Sequence, residues 1–488
     1  MSNRSFDLVQ LAKKAMYDRG LEPEFSKEAT QQLQTLNKPA SPVVNSEDLR
    51  SLLWCSIDND DSRDLDQLTY AQKEKNGQFT LWIAIADVDA LVTKDSAIDA
   101  NAQINTTSIY TPAKVFSMLP EKLSTDLTSL NENEDRTAIV IKIEMDSEGE
   151  ILNDSISQAV VRNYAQLTYK AVGAWLEERA SLPEKIKKIP DLQNALLCQH
   201  QAAQILKQKR HLLGALTLES PEIEAKVTED KEICWELPTH NFASELIENF
   251  MIAANHVMAR RLKESKMPSL RRVVRIPKRW DRIQSVAASV GEQLPDIPDP
   301  IELEIFLAKR KNKDPETFPN LSLTVIKLLG RGEYIVENAG DEPIGHFGLA
   351  LSEYTHSTAP NRRFPDLIAQ RQYKAILNKK RNPYTLEELN ILAEHCTHQE
   401  DAAVKVERHM NKVAAAILLS SHIGETFQAI VTGSGENGTW ARIFSPPVEG
   451  KILKGFERLD VGDRVMLELV GVDILKGYIN FYVLPSQN

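Results

Sequence analysis

The apolar positions of the chain open on helical spacing. Leu8, Leu11, Ala12, Ala15 and Met16 recur as one face of a helix, and a second amphipathic stretch runs from Phe25 to Leu36. The stretch NKPASPVVNSED has no such period and reads as a linker. Alternation takes over next: LTYAQKEK, an Asn76-Gly77 turn and FTLWIAIADV predict a β-hairpin at the start of a long mixed region. Helical segments become prominent around YKAVGAWLEER, NALLCQHQAAQILKQKR and SELIENFMIAANHVMARRLK, which together predict one large α+β domain ending near residue 380.

From NPYTLEELNILAEHC to VERHMNKVAAAILLSS the pattern is helical, and beyond Ile423 it breaks into short strands divided by glycine turns. GETFQAIVTGSGENGTWARIF, VEGKI and LDVGDRVMLELVGVDILKGYINFYV supply about five strands, the count of an OB-fold barrel, a fold that commonly takes single-stranded nucleic acid. The run from Gly433 to Gly438 matches GxGxxG, but a strand follows where a dinucleotide site needs a helix, so it reads as a hairpin turn. The expected divisions are a helical segment and linker over 1–45, the α+β domain over 46–380, a helical connector over 381–421 and an all-β barrel over 422–488.

At 488 residues and 42% hydrophobic composition, the chain is long enough to bury a large core. Cys55, Cys198, Cys234 and Cys396 lie far apart with no CxxC pair, which argues against a disulfide framework or a structural zinc and for reduced, buried thiols. The first residues lack the apolar core of a signal peptide, and no later run reaches the length of a membrane span. A cytoplasmic enzyme without membrane contact is the expectation, and a monomer, since no heptad or repeat is visible. A net charge of −11 argues against a protein that coats nucleic acid by surface charge, so any nucleic-acid contact must be local. One concentration exists: Arg260 to Arg282 holds ten basic residues against two acidic ones. Either a solvated basic face or a groove tracking phosphates would account for it, and the groove is the reading favoured.

The segment SIDNDDSRDLDQL crowds Asp58, Asp60, Asp61, Asp64 and Asp66 just before a strand. Hard divalent cations bind oxygen ligands and would offset that repulsion, and Mg²⁺ keeps several waters while accepting substrate phosphate oxygens. An acidic surface loop is the plain alternative. Apolar flanks and the interruption at Leu65 favour a loop anchored at a core edge. A calcium EF-hand fails, because it would put Arg63 where glycine is needed and Thr69 where the bidentate glutamate belongs. Further on, Arg362 and Arg363 precede Phe364-Pro365 and a helical run. Proline suits a helix's first turn, and two guanidinium forks beside exposed amides make a phosphate-binding corner. An ordinary helix cap with surface arginines is the alternative there. In SELIENFMIAANHVMARRL the core face is Leu246, Ile247, Phe250, Met251, Ala254, Val257 and Met258. Glu245, Glu248 and Asn255 fall on another stripe, facing solvent or supporting a catalytic site.

Taken together, these segments resemble the RNB catalytic domain of the RNase II family, over roughly Ser51 to Leu377. The resemblance rests on the acidic motif at Asp58, Asp64 and Asp66, on IADV, SIYTPAKVFSMLPEKLS, SLNENEDR, LTYKAV and LIENFMIAAN, and on HFGLALSEYTHSTAPNRR. The barrel resembles the RNA-binding OB module of the same enzymes. The resemblance implies an α+β fold with a narrow channel that threads the 3′ end of single-stranded RNA toward metal-binding aspartates, releasing nucleoside 5′-monophosphates. It implies Mg²⁺, or Mn²⁺ in its place, held by Asp58, Asp64, Asp66 and the position of Gln67. Asp66 would be the carboxylate most directly tied to cleavage, with Arg362 neutralising charge on the scissile phosphate and Glu248 supporting catalysis. Tyr110 and Tyr169 would stack on or orient the terminal nucleotides, and Arg363 would join Arg362 in holding RNA.

Two features depart from the family pattern. Gln67 and Asn249 stand where the family has the second of two adjacent aspartates and the second of two adjacent glutamates. An amide can coordinate a metal but contributes no charge, so Asp60 or Asp61 could substitute, and a catalytically weak RNA-binding regulator is the rival expectation. Ahead of the acidic motif, about forty-five mostly helical residues stand where RNase II carries two cold-shock barrels. RNA would then be gripped by the C-terminal barrel and the channel.

Overall fold

The computed structural model describes residues 7–219, 224–227, 233–236, 240–435 and 438–485. At its centre is a seven-stranded mixed sheet, in the order Glu47–Asp48, Ile151–Arg162, Asp135–Met145, Phe79–Ala86, Gln67–Lys73, Cys55–Asp58 and Ala165–Thr168. The predicted hairpin lies within it: Gln67–Lys73 pairs antiparallel with Phe79–Ala86, and Gly77 takes a left-handed φ of 85° in the turn.

Alternation along the strands divides the core into two layers. Phe79, Leu81, Ile83 and Ile85 pack with the helices Leu192–Leu212 and Phe242–Glu264, whereas Ala84 and Ala86 pack with the helix Phe364–Leu377. The small side chains on the second face let that helix approach closely enough for Gln370 Nε2 to donate to the Ala86 carbonyl at 2.8 Å. A capping box between Asn241 and Ser244 starts Phe242–Glu264, and Pro365 sits in the first turn of Phe364–Leu377.

Thr385 and Glu388 cap a helix of 34 residues, Leu386–Leu419, about 50 Å long at the standard helical rise. It crosses three apolar clusters. Leu389, Leu392 and Cys396 belong to the second face of the sheet; Ala402, Val406 and Met410 pack with Leu8, Ala12 and Met16 of the helix Leu8–Tyr17; and Ala415, Ala416 and Leu419 enter the C-terminal core. That last core fills a closed five-stranded barrel of Thr426–Gly435, Gly438–Ile443, Glu449–Lys454, Tyr478–Val483 and Arg464–Asp473, as the strand count predicts. Gly477, with φ 64°, lies so close to the long helix that a Cβ there would stand 2.8 Å from Lys412 Cβ. In the GxGxxG run Gly435 pairs with Gly438, and Glu436 and Asn437 lie outside the described residues. Cys55, Cys198 and Cys396 are free thiols, Cys198 only partly buried; the side chain of Cys234 lies outside the described residues. Among the described residues, no helix is long and apolar enough to cross a membrane.

The basic stretch departs from the expected phosphate groove. Arg260 and Arg261 share the buried Asp154, Lys263 pairs with Glu353, Arg271 with Glu337, Arg272 with Glu400 and Arg275 with Glu333. Six of the ten cations are thus matched by carboxylates within the fold. The reason is tertiary: Ser269–Val273 pairs antiparallel with Glu333–Glu337, which brings glutamates distant in sequence alongside the arginines.

Candidate active site

The acidic loop leaves one strand at Asp58 and enters the next at Gln67. Its anchor is Leu65, buried, with its N–H donating to Ser129 Oγ at 3.0 Å and its carbonyl accepting from Leu130 N–H at 3.0 Å. This local hold divides the five aspartates. Asp60 and Asp61 are exposed, with Asp61 lying 3.2 Å from Lys226 yet close enough for its charge to raise Asp58 and Asp64, so of the two residues that could substitute for the missing charge Asp61 is the one near the site. Asp58 accepts from Asn59 N–H and Ser62 Oγ at 2.8 and 2.9 Å. Its strand runs parallel to Ala165–Thr168, pairing Asp58 with Thr168, the residue before Tyr169.

Asp66 is 1% exposed. Its Oδ1 accepts from the Asn361 N–H at 3.0 Å, its Oδ2 is buried without a hydrogen-bond donor, and Arg362 Nε stands 3.6 Å from that oxygen. Burial pushes the Asp66 carboxyl up to about 7, with Arg362 opposing the shift and Asp64 adding to it. Burial also raises Asp58 and Asp64. Arg362 keeps 45% of its side chain accessible, so its guanidinium stands beside the buried Asp66 and is still open to a ligand. Burial works against its charge, but Tyr110, Asp66, Asp58 and Asp64 outweigh that and hold its pKa above the ordinary arginine value. Burial pushes the Tyr110 phenol up to about 12, with Arg362 opposing. It raises Tyr169 as well, helped by the charge of Asp58. Asp58, Asp64, Asp66, Tyr110, Tyr169 and Arg362 are therefore brought into one electrostatic neighbourhood.

The other candidates sit differently. Arg363 donates to the fully buried Asp366 at 2.8 Å, and the same Asp366 oxygen accepts from Ala359 N–H at 2.8 Å, so this guanidinium is committed to bracing its own loop. Glu248 is exposed on its helix, with Arg210 at 3.9 Å as its ion-pair partner. Asn249 faces inward and accepts from Arg210 Nε and an Nη at 3.2 and 2.7 Å. Gln67 is buried at the first position of its strand, opposite Ile85.

Of three residues that hold the arginine loop, two carry no sequence signal. Asn361 receives Thr128 Oγ1 at 2.6 Å while its N–H serves Asp66, and Asp366 anchors Ala359. Asn255, which the helical stripe did single out, accepts from the N–H and Oγ of Ser357 at 2.8 and 2.9 Å and reaches Tyr354 at 3.2 Å. His356 lies half-buried beside these groups, its pKa pushed well down by desolvation and by Arg363, Arg272 and Arg362, and hydrogen-bonds Tyr334 at 2.7 Å.

Three carboxylates here face one guanidinium, and a phosphodiester would add further negative charge. Such a balance calls for a cation, and the unpartnered Oδ2 of Asp66 is a ready oxygen donor. No group of three or more His, Cys, Asp or Glu side chains among the described residues is arranged to hold a metal ion. A cation would therefore complete its shell with water and phosphate oxygens, the habit of Mg²⁺.

Comparison with known proteins adds to this geometry. The RNB domain model matches residues 46–379. The chain belongs to the RNB family. The barrel matches the RNase II-type exonuclease C-terminal S1 domain over residues 425–484. Ribonuclease R 1 of Lactococcus lactis is 30% identical over 499 residues, covering 95% of this RNB chain and 60% of that protein. The chain spans between half and two thirds of the length of the curated relatives it matches. The structure of Mycoplasma genitalium RNase R in complex with ribose methylated single-stranded RNA superposes with a TM-score of 0.87 at 25% identity, covering 98% of this chain and 78% of that one. Yeast Ssd1, a pseudonuclease, shares the RNB fold at 16% identity and a TM-score of 0.74, over 91% of this chain and 56% of that one.

Proposed function

We propose that this chain is a hydrolytic exoribonuclease that shortens single-stranded RNA from its 3′ end and releases nucleoside 5′-monophosphates with the aid of Mg²⁺. The observation that carries the reading is the pairing of buried Asp66 with the half-accessible Arg362, flanked by Tyr110 and Tyr169. Family membership and the RNA-bound relative support it. Of the expected set Asp58, Asp64, Asp66 and Gln67, the unpartnered Oδ2 of Asp66 would be the first ligand, one of the others at most would join it, and water and phosphate oxygens would fill the rest of the shell; the bound cation would lower the pKa of a water and offset phosphate charge.

The side chains then divide the work. Asn361 holds Oδ1 of Asp66, which leaves Oδ2 turned to the site. Arg362 presents its fork to the scissile phosphate and stabilises the charge that develops there. Tyr110 and Tyr169 stack on or orient the terminal nucleotides, a contact indifferent to base sequence. Water adds to phosphorus, the 3′ oxygen of the preceding nucleotide leaves, and the released nucleotide keeps the 5′ phosphate. Arg363 and Asn255 brace the loop that carries Arg362, and Glu248 with Arg210 lies on the neighbouring helix.

Purified protein with a 5′-labelled oligoribonucleotide and Mg²⁺ tests the reading, beside Asp66→Asn, a DNA oligonucleotide and a 3′-blocked RNA. A shortening ladder that needs Mg²⁺, Asp66 and a free RNA 3′ end is the expected result. Gln67, neutral where the family has an acid, favours one rival: an RNA-binding regulator that turns nothing over. RNA binding without degradation in Mg²⁺ or Mn²⁺ would establish that rival instead.

A further inference from the structure

The N-terminal helical pair has no part in the chemistry just described, yet it is built into the substrate side of the site. Its route runs through the helix Ala97–Asn105. Asn105 Oδ1 accepts from the Glu22 N–H at 2.8 Å, and its Nδ2 donates to the Glu22 carbonyl at 2.6 Å, so one side chain grips both polar groups of one residue. Asn101 Oδ1 accepts from the Ser26 N–H at 2.7 Å. Gln32 Oε1, on the second N-terminal helix, accepts from the Ile98 N–H at 2.8 Å. From the long helix, Gln399 Nε2 donates to the carbonyls of Ile104 and Gly20, at 2.6 and 3.3 Å. Asn101, Asn105 and Gln399 are all buried, so each lost bond strands a polar group away from water.

Past Asn105 the chain turns at Thr106, left-handed with φ 61°, and meets the arginine loop at once. The Phe364 N–H donates to the Thr106 carbonyl at 2.8 Å, and the Ser108 N–H donates to the Arg362 carbonyl at 3.0 Å. Tyr110 follows, and its N–H donates to the Glu407 carboxylate at 2.8 Å. Ile109 and Phe116, the inward residues of this short hairpin, pack in one cluster with Leu8, Ala12 and Met16. Side chains of the N-terminal segment and of the long helix thus hold the backbone that carries Tyr110 and the backbone that carries Arg362.

We propose that the N-terminal helical pair and the long helix Leu386–Leu419 together form a positioning element for the reaction, with Asn105 on the side of the pair and Glu407 on the side of the long helix as the positioning residues that set Tyr110 and Arg362. The proposal rests on the reading of Tyr110 and Arg362 as groups that touch RNA. Neither Asn105 nor Glu407 touches RNA or the reacting atoms. Their effect is on where the stacking ring and the guanidinium stand, and small misplacements of such groups are costly in rate.

Asn105→Ala, Glu407→Leu and the conservative Glu407→Gln, made in the full chain, test this by RNA turnover with Mg²⁺, thermal melting and amide hydrogen exchange over residues 106–118. Asn105→Ala and Glu407→Leu are expected to lower kcat by about tenfold to a hundredfold. KM for RNA should stay within about twofold, as befits lost orientation rather than lost binding. Glu407→Gln, which keeps an acceptor oxygen, should recover most of the rate. Exchange over 106–118 should quicken in the two damaging variants. A rate loss that merely tracks loss of folded protein in the melts would overturn the proposal, as would unchanged rate and exchange. If the unaltered chain degrades no RNA, the nuclease reading fails by itself; quickened exchange would then still support the mechanical link, and unchanged exchange would reject it.

Discussion

In the loop from Asp58 to Asp66, three carboxylates are drawn into the protein against one guanidinium, and burial raises all three. From Arg260 to Arg275, six cations each find a carboxylate, and two of them share Asp154. Both segments look alike in sequence, as dense runs of one sign. The fold compensates one run internally and leaves the other with three carboxylates against a single guanidinium. Charge density along a chain is therefore a poor guide to function until the partners brought in by tertiary structure are counted.

The comparison can be broken at either end. The largest effect is expected at the uncompensated one: Asp66→Asn should cut RNA turnover by on the order of 10⁴-fold or more, measured in single-turnover assays. At the compensated end, Arg271→Leu strands the buried Glu337 and should cost about 3–5 kcal/mol in urea denaturation. RNA affinity and its salt dependence should not change in that variant, and a shallower salt slope would return the basic stretch to the RNA-binding surface.

A smaller effect sharpens the contrast. With its carboxyl near 7 in the folded metal-free protein and 3.8 as the ordinary value, Asp66 keeps a proton on folding through that interval that the unfolded chain has lost. Stability should therefore fall as pH rises from about 4 to about 7, by at most roughly 4 kcal/mol, and level off above. Melting in chelator should find Asp66→Asn more stable than the unaltered chain at about pH 8, with the advantage shrinking toward about pH 4. An advantage independent of pH would mean that Asp66 is not held protonated. Smallest of all, Arg275→Ala removes an exposed pair with Glu333 and should change stability by under about 1 kcal/mol.

Much of the fold was legible where local chemistry is decisive. Asn76-Gly77 marks its hairpin, Pro365 its helix start, and the glycine-punctuated tail its barrel. Leu65 identified the acidic run as a core-edge loop, and the ordered motifs pointed to the family that the comparisons bear out. What stayed hidden depends on contacts across the sequence. Asn361 meets Asp66 through a backbone N–H, which any residue but proline could supply. Asp366 reads as an ordinary first-turn acid until the Arg363 guanidinium and the Ala359 N–H are seen on it. The exposure of Asp60 and Asp61, and the carboxylates awaiting Arg260 to Arg275, follow from the same kind of non-local pairing.

The long helix Leu386–Leu419 carries a lesson about modularity. Its successive turns serve the sheet, the N-terminal helix and the barrel, and Gly477 brings a barrel turn hard against its backbone. A cut at residue 381 or 421, where the pattern of the chain changes, would leave one fragment with the beam and strip the other of the surface that rests on it. Swapping this barrel for that of a relative is therefore a graft of the last turns of the helix as well, and the seam belongs inside the helix, ahead of Lys412, rather than at either end.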